Sequence, residues 1–508
     1  MLLAWLMNFA YSLAAGIAFW FGEPAPSRRY IADFNAEVLA LPETATAWRI
    51  VRQAALRPVP LIEGAKYPDM GIQATVPEDP LWSAMAKAVE KEAEGIELAL
   101  RAAERSRMGM PLIVFGETAT SEENWAMLDR VDPRANPSPI EVNLPYLGQI
   151  RKWARELAAD CRIAAEAGDA KRVIRDLNTM LKLSGLLREP PMLINQLVDY
   201  AVSSVVTREV GIVLASYPGL LDDGQLGVLA EELKRTQKRL RAIDLEWDWA
   251  FLLDWIGRVY SDDGRGNGVV TYSGLNEQAK REEISTKQRV LGLVLSAILG
   301  ADVSRLSGSK RDLLERVDAA RHAIQRDIET KPWLRQEWQI DSVVRRDGAD
   351  MKQLGDFPLA IAIPGIQKGV ESWNGVLNQI DLIILIIELE RFRIRNGDYP
   401  QSLAELLKNG LGEIPRDLMD GQPIRYLYRE RDLPLVYSIG ADGVDDGGHA
   451  AADNPEAGQL NGKRKLATGS EWNRERLKGD SVYWPPMTVQ WIDEGEKPFV
   501  PRRPLTRH

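Results

Sequence analysis

Three aspartates crowd a short glycine-rich stretch towards the C-terminus: Asp442, Asp445 and Asp446, in the run IGADGVDDGG. Carboxylates held that close repel one another unless a cation sits between them. Calcium takes six to eight oxygens at about 2.3–2.6 Å, from carboxylates and backbone carbonyls. Gly440, Gly443, Gly447 and Gly448 let the backbone curl so that its carbonyls can join the carboxylates. The chemistry predicted for this stretch is Ca2+ binding, and the competing reading is a solvated acidic turn.

Other reactive residue types are sparse. The three histidines, His322, His449 and His508, show no metal-ligand spacing, and HExxH is absent. No GxSxG elbow and no phosphate-cradling glycine loop occurs. Cys161 lies in an alanine-rich helical run and reads as a packed thiol. It also excludes an intrachain disulfide framework. Glu246, Asp248 and Asp254 fall within one helical pattern, but at spacings of two and six they do not share a face. A solvated or ion-paired role fits them better than an acid–base pair. Carboxylate-only chemistry, a hydrolase of the glycan-cleaving type with its site in the helical body, is the alternative function. Asp262, Asp263 and Asn267 form a second acidic stretch without the regular carboxylate pattern of an EF-hand, and it reads as a tight turn.

The acidic loop needs elements to hold it. Ile383 to Ile387 are apolar on every side, which predicts a helix buried all round. Asn396-Gly397 supplies a left-handed stop and Pro400 prevents continuation. Ser402 with Glu405 has capping-box spacing for a second short helix. Asp420-Gly421 marks a turn, and PIRYLYRE and LPLVYSIG read as two strands, the second running straight into the acidic loop.

The run RFRIRNG at 391–397, then Asp398-Tyr399-Pro400, Asp420-Gly421-Gln422-Pro423 and Tyr437-Ser438-Ile439-Gly440-Ala441-Asp442-Gly443, resembles the C-terminal domain of type II secretion major pseudopilins. The match covers about a quarter of the chain. It implies a long helix on a small antiparallel sheet, and a calcium ion held by the loop after the YSLGADG-like strand. Here the loop carries an insert over roughly 449–477, and the family's closing stretch is similar to Gly479-Asp480-Ser481-Val482-Tyr483-Trp484. The resemblance therefore adds Asp480 to Asp442 and Asp445 or Asp446 as metal ligands. The family's cleavable leader does not open this chain, and the buried helix is internal. The expectation is thus a larger envelope protein carrying such a domain, with other envelope proteins as partners, and not a pilus subunit.

Residues 2–22 carry no charge, enough to span a hydrocarbon core of about 30 Å as a helix. Trp5 and Trp20 stand near its ends, as interface aromatics do. An anchor is predicted; a signal peptide is the alternative, although the segment lacks a basic start and a small-x-small cleavage site. Arg28 and Arg29 alone would keep the body in the cytoplasm, whereas the resemblance favours the inner membrane with the body periplasmic or extracytoplasmic. The net charge of -9, with no basic face, excludes a nucleic-acid binder.

The expected fold is mainly α. It has a transmembrane helix at 1–22, a loop-rich helical region at 23–140 and a helical body at 141–347. A linker at 348–368 then leads to a pseudopilin-like α+β domain with a small antiparallel sheet at 369–508. In the body, a hairpin with a Gly168-Asp169 turn resembles one tetratricopeptide unit, so a bundle and a short helical-hairpin repeat both stand. Single helices are predicted over 79–106 and from about 225 to 260. PLIVFG at 111–116 reads as a buried strand or core. A core or membrane-surface helix is predicted at 276–300.

Overall fold

The computed structural model describes residues 17, 19, 29–58, 77, 80–116, 118–139, 141–262, 268–271, 309–344, 357–408, 411–430, 433–439, 443–448 and 480–485. The predicted anchor therefore lies outside the described residues, apart from Ile17 and Phe19. Both are helical; Ile17 is exposed and Phe19 is half-buried against the core. The 276–300 helix also lies outside them.

The described residues form fourteen α-helices and three strands. In chain order the helices are α1 (Tyr30–Leu39), α2 (Trp48–Ala55), α3 (Trp82–Lys91), α4 (Ala93–Ala103), α5 (Ser121–Met127), α6 (Tyr146–Glu166), α7 (Ala170–Gly185) and α8 (Leu193–Ser216). They continue with α9 (Asp223–Leu240), α10 (Glu246–Val259), α11 (Lys310–Glu329), α12 (Gln339–Val344), α13 (Phe357–Asn396) and α14 (Ala404–Lys408). The strands are β1 (Arg425–Leu427), β2 (Leu435–Ser438) and β3 (Ser481–Trp484). They make one antiparallel sheet in the order β1-β2-β3. The mostly helical fold with a small antiparallel sheet is as the sequence predicts.

The body is built around α8. Helices α6 and α7 form an antiparallel hairpin on one side of it, and α13 packs along the other, also covering α9. The hairpin turns where the sequence places it. Gly168 takes φ +74°, and Asp169 Oδ1 accepts from Arg172 N at 3.1 Å to start α7. Capping boxes open α9 (Asp222 with Gln225) and α11 (Ser309 with Asp312).

The predicted long helices are broken. The first stops at Glu92, whose buried carboxylate turns inward to Lys152 Nζ at 3.2 Å on α6. Gly95 makes room for it, since a Cβ there would lie 2.0 Å from Glu92 Oε1. The second breaks at 241–245, where the Gln196 side chain of α8 bonds both backbone groups of Asp244. PLIVFG is an extended segment outside any strand, with Leu112 packed beneath α1.

The linker expected at 348–368 is corrected in its second half: residues 357–368 are the first turns of α13. Pro358 sits in the first turn of the helix, where no intrahelical N–H bond is lost, and Leu359, Ile363 and Ile366 are buried. Burial outweighs the Pro-Gly punctuation. Helix α13 is thus 40 residues, about 60 Å long. By length and composition Ala362–Asn396 is apolar enough to cross a membrane, and 61% of its most apolar window is buried within the protein. Leu382 to Ile387 are between 0% and 6% exposed, each contributing about 1.5–3 kcal/mol by burial. One continuous core runs from Ala47 to Trp484, so the sheet shares the body's core.

Candidate functional site

The RFRIRNG signature turns out to be a docking device. Arg391 Nε and Arg395 Nη2 reach Asp223 at the first turn of α9, at 3.0 and 2.9 Å. Arg393 pairs with Glu390 at 2.8 Å and lies 5.7 Å from the Tyr399 ring centre. Gly397 takes φ +86°, which ends α13 as the sequence predicts. Tyr426 of β1 donates to Pro400 O, and Tyr428 just after the strand donates to Asp398 Oδ2, both at 2.7 Å, so the turn after α13 is tied to the sheet. Ser402 N bonds Glu405 Oε1 at 3.1 Å, completing half of the expected box.

The sheet is anchored by Asp417, which sequence reading passed over. It is 1% exposed and accepts four hydrogen bonds. Oδ1 takes Ser438 Oγ (2.7 Å) and Met419 N (2.9 Å); Oδ2 takes Arg425 Nη1 (2.6 Å) and Ile439 N (3.1 Å). Arg425 in turn holds Asp420 at 2.5 Å. This fixes the Asp420-Gly421 turn against both β1 and β2.

The acidic loop leaves β2 directly above that anchor. Gly443, Gly447 and Gly448 have φ of +73°, +69° and +84°, so the glycine-driven curl is present. Gly448 also passes so close to the sheet that a Cβ would lie 2.0 Å from Leu435 Cδ2. Asp480 immediately precedes β3, which pairs with β2 through Ser438↔Ser481 and Tyr437↔Val482. That pairing brings Asp480 back to the loop across the insert, and Gly448 N donates to its Oδ2 at 2.6 Å. Asp480 is 2% exposed, and its Oδ1 has no hydrogen-bond partner among the described residues. Burial holds its carboxyl above the usual range, with Asp445 and Asp446 adding to that against the N–H groups of Gly448 and Asp446.

Of the four predicted ligands, Asp442 lies outside the described residues. Asp445 and Asp446 flank Asp480 closely enough to perturb it. Asp445 Oδ1 already accepts from Tyr437 Oη (3.1 Å) and Gly447 N (3.0 Å), and Oδ2 stands 3.8 Å from Arg425 Nε. Asp445 is therefore partly neutralised by protein. Among the described residues no three His, Cys, Asp or Glu side chains form a ready-made metal cluster. What the loop offers an oxygen-seeking cation is one buried, unsatisfied carboxylate oxygen with two further carboxylates nearby.

The helical body holds a second set of charges that the sequence did not reveal. Arg162 (α6) and Glu209 (α8) make a buried two-pronged pair at 2.6 and 2.7 Å. Asp160 is gripped by Arg172 and Arg175, and Asp199 by Arg188 and Arg239 at 3.2 and 3.1 Å. Cys161 packs among them fully buried, its thiol pushed well up by burial, as expected of a packed thiol. Glu246 pairs with Arg321, Asp254 with Arg258, and Asp248 caps α8 through Leu193 N at 2.9 Å. These three carboxylates go to three different partners, as their spacing predicts. His322 is exposed on α11.

Glu156 gives this body a measurable pH dependence. Burial, partly offset by Lys152, pushes its carboxyl up to about 7. A raised folded-state pKa favours the protonated form, so its contribution is complete below about 4.5 and lost as pH rises through about 7. Glu156→Gln should therefore gain on the parent by roughly 2–3 kcal/mol more at pH 8 than at pH 5. Urea midpoints at the two pH values check this, and a constant difference would refute it.

The fold and site together define a mostly helical protein whose long core helix carries a three-stranded sheet with an acidic loop at its edge. No protein-family model, no curated protein and no solved structure matches the chain.

Proposed function

We propose that the chain is a non-catalytic envelope protein, anchored through residues 2–22, whose C-terminal sheet is stabilised by Ca2+ and serves a scaffold or protein-interaction role. The observation that carries the calcium part is the unsatisfied oxygen of buried Asp480, set against Asp445 and Asp446. A divalent cation bound there would satisfy it, with Asp442 and the loop carbonyls filling further positions. The pseudopilin resemblance supports the same loop, and with it an extracytoplasmic body and a link to secretion or surface assembly. The hydrolase alternative has less in its favour. Asp160, Asp199 and Glu209, buried in the body, are engaged by arginines, which is the pairing of a structural core.

The full chain, stripped with EDTA, should melt higher when Ca2+ is added. The gain follows RT ln(1 + [L]/Kd), about 2.7 kcal/mol at a hundredfold excess over Kd. Asp480→Asn should abolish that gain, and acid pH should weaken it by protonating the ligand. An unchanged midpoint in millimolar Ca2+ would remove the metal from this reading.

A further inference from the structure

A cleft of about 720 Å3 opens between the last turns of α9 and α11, the middle of α13 and the segment 411–418. That is the size of a small-molecule site. It lies where the helical body meets the chain leading into the sheet, so four separate segments shape it.

Its polar lining includes Gln237 of α9 and Asn374 and Asp381 of α13. Asp381 accepts from Gln237 Nε2 across the cleft. No lysine or arginine among the described residues lies within ion-pairing distance of Asp381. A half-buried carboxylate with one amide partner retains acceptor capacity for a ligand hydroxyl. One face further along α13, Asn374 Nδ2 donates to Val370 O at 3.0 Å, which leaves its Oδ1 as an acceptor. Its apolar lining includes two indoles among aliphatic side chains such as Leu377 and Ile414. Trp373 forms the floor; it is 8% exposed and its Nε1 donates to Leu240 O at 2.6 Å. Trp333 is half-buried in the wall, its Nε1 edge so close to Gly421 that a Cβ there would lie 2.5 Å away. Gly421 is therefore required for Trp333 to stand where it does.

Charge decides what class of ligand suits such a cleft. Four basic and three acidic side chains line it, so neither an anion nor a cation meets a field of one sign. Aromatic surface with a few convergent acceptors and donors, and near-balanced charge, suits a neutral ligand that is apolar on its ring faces and hydroxyl-rich at its edges. We propose that this cleft binds an oligosaccharide segment, with a sugar ring against Trp333 and its hydroxyls donating to Asp381 and Asn374. The site is distinct from the acidic loop and does not depend on calcium.

Calorimetric titration of the full chain with chitotetraose, cellotetraose and maltotetraose tests this. At least one should bind with a dissociation constant below 1 mM, a threshold typical of weak small-ligand sites near about -4 kcal/mol. Trp333→Ala and Asp381→Asn should each weaken that binding about tenfold or more, while the melting midpoint shows that each variant is folded. Should Trp333→Ala not fold, Asn374→Ala takes its place with the same expectation. No binding by any of the three sugars, or binding that Asp381→Asn leaves unchanged, overturns the proposal.

Discussion

Glu209→Ala is expected to destabilise the folded chain by about 3–5 kcal/mol. The reason is the charge it leaves behind. Arg162 is 3% exposed at its side chain and Glu209 is 0% exposed, with two hydrogen bonds between them. Removing the carboxylate takes the two-pronged counter-charge from a buried guanidinium, where water cannot replace it. The same logic predicts that Arg162→Met with Glu209→Leu recovers most of the loss, because an apolar pair of similar volume carries no desolvation cost. As a contrast, Glu246→Ala should change stability by less than about 1 kcal/mol, since its pair with Arg321 is exposed. Urea unfolding of the three variants measures all of this. A Glu209→Ala loss as small as that of Glu246→Ala would show that the buried pair is not the tie it is taken to be.

Asp417→Ala should cost a similar amount, about 3–5 kcal/mol, but in a different place. Its carboxylate ends four bonds, one inside the turn at 417–422 and three that join the turn to β1 and the end of β2. Without it, Arg425 keeps Asp420 but loses its buried partner, and the N–H groups of Met419 and Ile439 lose their acceptor. Asp417→Asn is no rescue. Its amide nitrogen would face either Met419 N–H or the Arg425 guanidinium and Ile439 N–H, putting donor against donor. Hydrogen exchange separates this from a global effect. The amides of Met419 and Ile439 should lose protection first, while those of α6 and α8 stay protected. Uniform loss across both regions would mean that the sheet has no stability of its own to lose.

What could be read from the sequence was local. The hairpin at Gly168-Asp169, the stop at Asn396-Gly397, the start at Ser402 and the strand LPLVYSIG each follow from a few adjacent residues with a fixed backbone preference. What could not be read depends on partners far along the chain. Glu92 ends a helix because Lys152, 60 residues away, receives its carboxylate. Gln196 bends the chain at Asp244 from 48 residues away. The first turns of α13 looked like a linker because Pro358, Pro364 and Gly365 are punctuation in isolation; the burial of Leu359 and Ile363 against other helices decides otherwise. The candidate site divides the same way. The glycine curl and the acidic composition were legible, and the resemblance supplied Asp480. Asp417, whose carboxylate holds the turn and both strands beneath the loop, gave no signal, since a lone aspartate before a turn looks like any surface residue.

Helix α13 makes the C-terminal region a poor candidate for transplantation. Leu382 to Ile387 are buried in the core that the body shares with the sheet, and α13 packs on α8 and α9. A fragment cut just before Phe357 would carry the strands and the acidic loop intact, yet expose a greasy rod to water. Such a piece would aggregate or pair with itself unless the missing helices were supplied in trans. The region is less a cassette joined to a body than a cap grown from the body's own spine.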